Sequence, residues 1–145
     1  MSQSIAFIGV GNMGCPMAEN LMKANKTVKV FDVSKKMLDI ARDKKLETVS
    51  NLDDLITGDV DTVITMLPEG KHSKEVYLGE KGIINKVSKD CLLIDCSTID
   101  IQTSIEIGNK ASEKQILMID APVSGGVMGA QKATLNIMVG GSKEA

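Results

Sequence analysis

Tryptophan is absent from this 145-residue sequence, and its aromatic residues are Phe7, Phe31 and Tyr77 alone. Bases therefore find no stacking platform, and a net charge of -2 gives no electrostatic hold on polyphosphate, so nucleic acid is not an expected partner. One histidine, His72, and one arginine, Arg42, leave little for metal binding or for clamping a phosphate with side chains. Three cysteines, Cys15, Cys91 and Cys96, are odd in number and irregularly spaced, which excludes a disulfide framework and suits a reducing compartment. Cys91 and Cys96 sit five apart on one expected strand, point to opposite faces and cannot share a metal. No metal site is expected. No apolar run reaches membrane-spanning length, and the first strand starts within a few residues of Met1, leaving no room for a leader. These absences predict a cytoplasmic protein with no membrane partner.

What remains is an ordinary globular composition, 43% hydrophobic and 25% charged, in a chain that predicts one domain over residues 1–145. Such a length buries about 68% of its unfolded surface. There is no linker, low-complexity segment or solenoid repeat, and the nine methionines read as adaptable core filling.

The informative stretch runs from Ile5 to Leu21. An apolar run of strand length meets Gly9, Gly11 and Gly14 in the spacing GxGxxG, with Asn12 and Met13 between, and Met13, Met17 and Leu21 follow at helical spacing. Strand, tight turn and helix are predicted, with Gly9 permitting the turn, Gly11 the approach of a pyrophosphate, and Gly14 close packing of helix on strand. The helix start then presents free N–H groups and the positive end of its dipole to the phosphates. Pro16 is compatible, since a first-turn proline removes an N–H that has no helical partner. A lone GxGxxG is equally an ordinary turn; its context decides. A second strand, Val28 to Phe31, ends in Asp32, 18 residues beyond Gly14, where an adenosine ribose would be gripped.

The rest of the chain alternates. The first helix runs from Asn12 to about Asn25, a left-handed C-terminal cap; Ser34 caps a helix from Lys35 to about Lys45; Glu47 to Val49 is a short strand; a brief helix opens at Asn51 or Asp53 and ends by Gly58. Asp61 to Leu67 is a buried strand stopped by Pro68, followed by a helix from about Lys71 to Tyr77 and a return of Ile83 to Val87 toward the sheet. Cys91 to Asp95, a helix from about Asp100 to Ser112, Ile116 to Asp120, a loop from Ala121 to Gly126 and a last strand from Thr134 to Val139 complete it. This order predicts an α/β fold, a doubly wound, Rossmann-type, mainly parallel sheet with helices on both faces and its ligand at the carboxyl edge.

Each loop at that edge has two readings. Asp32 is a strand-end cap, or a ribose acceptor whose charge would repel a 2'-phosphate by about 4 kcal/mol at 4 Å and an effective dielectric of 20, favouring NAD over NADP. Leu67 and Pro68 terminate a strand, or bring backbone against the adenine-side ribose and phosphates. His72 is a surface histidine, or a cofactor contact. Ser97 and Thr98 cap the next helix, or bond the nicotinamide half. Ser124, Gly125 and Gly126 form a wide turn, or a donor nest for a small substrate carboxylate.

Gly9 to Gly14 with Pro16 to Leu21, Thr65-Met66-Leu67-Pro68, Asp95-Cys96-Ser97-Thr98-Ile99-Asp100, Asp120 to Gly126 and Met138 to Gly141 together resemble the β-hydroxyacid dehydrogenases over the whole chain. Ser97 to Asp100 and Glu75 to Gly79 are most similar to the branch acting on 3-hydroxyisobutyrate. The resemblance implies an NAD-dependent oxidoreductase that oxidises 3-hydroxyisobutyrate to methylmalonate semialdehyde in valine catabolism. It assigns Gly9, Gly11, Asn12, Met13, Gly14, Asp32, Leu67, Pro68, His72 and Thr98 to the cofactor and Ser124, Gly125 and Gly126 to the substrate. Asn25 and Ala133, where the family uses glycine, and Ile101, where it uses proline, depart from the pattern. The family's C-terminal helical domain, with its catalytic lysine, is expected beyond residue 145, so no catalytic residue is assigned here. A homo-oligomer is implied for the full-length enzyme. The alternatives are a reductase for another short hydroxy acid, such as tartronate semialdehyde, and a non-catalytic NAD-binding module.

Overall fold

A computed structural model describes residues 3–145. Strands β1 (Ser4–Ile8), β2 (Thr27–Phe31), β3 (Glu47–Thr48), β4 (Thr62–Thr65), β5 (Leu92–Asp95) and β6 (Leu117–Asp120) pair in parallel in the order β3-β2-β1-β4-β5-β6, and β9 (Gly140–Gly141) closes that edge antiparallel to β6. The chain leaves β1 toward β2 and β3 on one side and returns to β4, β5 and β6 on the other. The direction of winding therefore reverses between β1 and β4, and a crevice opens there at the carboxyl edge.

Alternation along β1 assigns the two faces. Ile5 and Phe7 pack with Cys15 and Ala18 of α1 (Gly14–Lys23) and Ala41 of α2 (Lys35–Asp43); Ala6 and Ile8 pack with Leu55 of α3 (Leu52–Leu55), Tyr77 of α4 (Gly70–Leu78) and Ile107 of α5 (Ile101–Glu113). Helices thus cover both faces, as a parallel sheet requires. Cys91 and Cys96, immediately outside the two ends of β5, fall into opposite cores, and all three cysteines are free thiols.

Local chemistry accounts for most element ends. Ser34 Oγ accepts from Met37 N–H at the start of α2, and Asn25 takes the left-handed conformation (φ 62°) after α1. Helix α1 begins at Gly14, two residues later than the sequence pattern suggests, because Gly9 to Met13 are spent on the turn. Ile83 to Val87 form no strand; a 3-10 turn over Ile83–Asn85 drops Ile83 and Ile84 into the core.

The C-terminal region differs most from expectation. Between Gly126 and Lys132 lies a helix, α6, and the expected strand from Thr134 to Val139 is broken. Its centre, β8 (Asn136–Ile137), pairs with β7 (Val123–Ser124) in a separate two-stranded sheet, and only Gly140 and Gly141 join the main sheet. Ala133 is the cause: it caps α6 in the left-handed conformation (φ 56°) and turns the chain back. An apolar cleft of about 430 Å³ opens between this hairpin, α1 and the sheet residues Ile64, Ile94 and Ile119.

Candidate functional site

The crevice is built from the glycine loop upward. Strand β1 ends at Ile8, and Gly9 turns the chain with φ +92° while its N–H donates to Phe31 O at 2.9 Å. A Cβ on Gly9 would stand 2.3 Å from Met66 O, and one on Gly14 1.8 Å from Gly9 O, so the fold itself demands both glycines. Gly11 is different. A Cβ there meets nothing within 4 Å, so packing within the chain does not require glycine at this position.

The amides around it are unspent. Cys15 N–H donates to Gly11 O and Met17 N–H to Met13 O, but among the described residues the N–H groups of Gly11, Asn12 and Met13 find no protein acceptor. Met13, the N-cap of α1, supplies no side-chain cap either. The helix therefore presents bare donors and the positive end of its dipole to the crevice.

Asp32 closes the loop from the side of β2. Its Oδ2 accepts from Val10 N–H at 2.9 Å and its Oδ1 from Ser34 N–H at 2.8 Å. Asp32 thus caps the end of its strand, and each of its oxygens keeps capacity for a further hydrogen bond.

A cavity of about 430 Å³ lies over these groups. Every residue that the sequence assigned to a cofactor lines it except Thr98, with Leu67 and Pro68 forming the wall opposite Asp32 and His72 standing beyond them. Ile8, Phe31, Val33, Met66, Glu75 and Val76 line it too, none of them among the individual residues named for the cofactor. A signal existed for two of them, since Glu75 and Val76 follow His72 at three and four residues on the same face of α4. Val33, 93% exposed, follows Asp32 directly and lies open over the cavity mouth. No lysine or arginine lines the cavity, so an anion here would be held by backbone donors.

The remaining expected residues lie outside it. Thr98 is exposed in the loop after β5. Neither Ser97 nor Thr98 caps α5; Asp100 does, accepting from Thr103 N–H at 2.8 Å. Ser97 is buried and turned inward, its Oγ accepting from Leu67 N–H at 2.8 Å. Ser124 ends β7, and Gly125 (φ +138°) and Gly126 (φ +62°) open α6, so this loop is the entrance to a helix rather than a wide turn.

The titratable groups add no nucleophile. Burial pushes the Cys96 thiol up to about 12 and the Cys91 thiol up to about 11, so both are inert at neutral pH. Burial, then the neighbouring Asp95, raises the Tyr77 phenol well above its ordinary value, and the same two causes raise Asp120. Among the described residues no group of histidine, cysteine and carboxylate side chains could hold a metal, and no helix is long and apolar enough to cross a membrane.

Known proteins resemble this chain in sequence and in fold. The family model for the NAD binding domain of 6-phosphogluconate dehydrogenase matches residues 4–145. A 3-hydroxyisobutyrate dehydrogenase of Pseudomonas aeruginosa is 43% identical over 140 residues, 97% of this chain and 47% of its own length. The mitochondrial 3-hydroxyisobutyrate dehydrogenase of Bos taurus is 43% identical over 140 residues, 97% of this chain and 41% of its own length. The solved structure of Mycobacterium tuberculosis 3-hydroxyisobutyrate dehydrogenase with L-serine superposes with a TM-score of 0.92 at 37% identity, covering 99% of this chain and 48% of that one. The chain thus spans about half the length of the relatives it matches.

Proposed function

The chain belongs to the family of NAD-binding domains described for 6-phosphogluconate dehydrogenase, and from that premise we propose that it is the cofactor half of an NAD-dependent 3-hydroxyisobutyrate dehydrogenase. One observation carries the reading. The unspent amides of Gly11, Asn12 and Met13, the open space over Gly11 and the carboxylate of Asp32 face one cavity, which is what a pyrophosphate and an adenosine ribose need side by side.

The residues of the cavity fit the group. Gly11 and its neighbours hold the pyrophosphate through backbone N–H groups, and Asp32 accepts the ribose hydroxyls and disfavours a 2'-phosphate. Leu67, Pro68 and Val76 form the apolar wall on the adenosine side, with His72 beside them. Thr98, farther along the carboxyl edge, serves the nicotinamide half. When bound, NAD supplies the hydride acceptor.

Ser124, Gly125 and Gly126 present a hydroxyl and backbone donors to the substrate carboxylate. Oxidation of a carbinol also needs its proton removed, an acid–base contribution of about 10² to 10⁴ in rate. No described residue is placed for that task, and the resemblance assigns it to a lysine of the other half. The substrate is a small hydroxy acid, the full-length enzyme a homo-oligomer, and three free buried thiols suit the cytoplasm.

A second substrate reading has its own support, because the structure of the tuberculosis relative is one with L-serine. L-Serine and 3-hydroxyisobutyrate share the carboxylate and the primary carbinol and differ in an ammonium against a methyl group. Steady-state assays of the full-length enzyme with both acids, alongside NAD binding by this chain, test the assignment. Binding without turnover is expected of this chain alone; turnover of either acid by these 145 residues would overturn the cofactor-half reading.

A further inference from the structure

A set of buried polar side chains lies directly beneath the cavity and takes no part in it. Thr65 ends β4, Tyr77 belongs to α4, Asp95 ends β5 and Ser97 follows; each is at most 1% exposed. Tyr77 Oη lies 2.8 Å from Thr65 Oγ1, and Thr65 Oγ1 lies 2.9 Å from Asp95 Oδ1, which also accepts from Ser97 N–H at 2.9 Å. A carboxylate only accepts, so Thr65 donates to Asp95 and, its one hydrogen being used, receives from Tyr77. The direction of every bond is thereby fixed: Tyr77 donates to Thr65, and Thr65 Oγ1 and Ser97 N–H both donate to Asp95 Oδ1.

The chain of bonds does not stop at Asp95. With its own N–H anchored, Ser97 turns its Oγ to Leu67 N–H at 2.8 Å, and among the described residues that amide has no other acceptor. Leu67 is the wall of the cavity. Its Cδ2 and the preceding carbonyl, Met66 O, would stand 2.9 Å and 2.3 Å from a Cβ on Gly9, so wall and glycine loop lean on each other with no slack.

We propose that Ser97, anchored by Asp95, Thr65 and Tyr77, is a positioning residue for dinucleotide binding, setting the Leu67–Pro68 wall against the glycine loop. The inference rests on the dinucleotide reading above and adds a residue that touches no cofactor. Fastening β4 to β5 does not explain it, since Thr62 to Thr65 already pair in register with Leu92 to Asp95. The bond to Leu67 N–H lies beyond that ladder, where the backbone has left the sheet.

The test combines amide hydrogen exchange by NMR with calorimetric NAD titration on the unaltered chain, Ser97→Ala and Ser97→Cys. In Ser97→Ala the Leu67 amide loses protection while Phe7 and Leu93 keep theirs, and the Kd for NAD rises about three- to tenfold, the worth of one net hydrogen bond. Ser97→Cys, whose sulfur is a weak acceptor of similar size, lies between the two on both measures. In either variant, a Leu67 amide that exchanges freely with a Kd unchanged from the parent's overturns the proposal, as does a Leu67 amide that stays protected in Ser97→Ala. If Ser97→Ala does not fold, the cysteine variant decides on the same criteria. Failure of the unaltered chain to bind NAD would instead defeat the dinucleotide reading, and this inference with it.

Discussion

Alanine at each of the three loop glycines separates what the fold requires from what a ligand requires. At Gly9 an alanine must adopt φ +92°, which costs about 1–3 kcal/mol of backbone strain, and place its methyl 2.3 Å from Met66 O, which adds about 1–3 kcal/mol of overpacking. A domain of this size is stable by about 5–15 kcal/mol and loses about 3 °C in Tm per kcal/mol. Gly9→Ala should therefore melt about 6–18 °C below the parent. Gly14→Ala, with its methyl 1.8 Å from a backbone oxygen that cannot swing aside, should be worse. Gly11→Ala meets no atom within 4 Å and should change stability by no more than about 0.5 kcal/mol. Yet its methyl stands where the pyrophosphate must approach, so NAD affinity should fall at least about tenfold, or about 1.4 kcal/mol. Thermal melts and calorimetric NAD titrations of the three variants give both readings. Parental NAD affinity in Gly11→Ala, or a parental Tm in Gly9→Ala, would refute the division of roles.

Asp32→Asn removes the charge that opposes a 2'-phosphate, and the ratio of NADP to NAD dissociation constants should fall by about tenfold or more, measured by parallel titration. Alkaline stability should reveal the buried thiols. Above about pH 9 an unfolded cysteine loses its proton, while folded Cys91 and Cys96 hold theirs to about 11 and about 12. The unfolded state then binds fewer protons and stability falls as pH rises through that window, so chemical denaturation of Cys96→Ala should show a flatter alkaline limb. Ala133→Gly relieves a left-handed alanine (φ 56°) and should raise Tm by about 2–3 °C by calorimetry, corresponding to about 0.5–1 kcal/mol.

Much of this was legible in the sequence because local rules and the global fold agree there. Apolar runs bounded by Gly9, Asp32 and Pro68 could only be buried parallel strands, and the glycine spacing fixed the loop that joins β1 to α1. The C-terminal region was not legible, since its strands are two residues long and its helix α6 is set by left-handed Ala133 and by Gly125 and Gly126. Periodicity carries no signal for such short elements. Two features of the site depended on contacts distant in sequence. That Asp32 binds Val10 N–H is a relation across 22 residues, and that Ser97 faces Leu67 rather than the crevice is one across 30. Hydroxyl residues at a strand end announce that they will bond something, while the partner is chosen by the sheet order.

The central claim is that the amides left free around Gly11 and the carboxylate of Asp32 together bind NAD. Calorimetric titration of the chain with NAD and then with NADP tests it most directly. The account predicts saturable one-to-one binding of NAD, with NADP at least about tenfold weaker. Equal affinity for the two would contradict the role given to Asp32, and binding of neither would contradict the site itself.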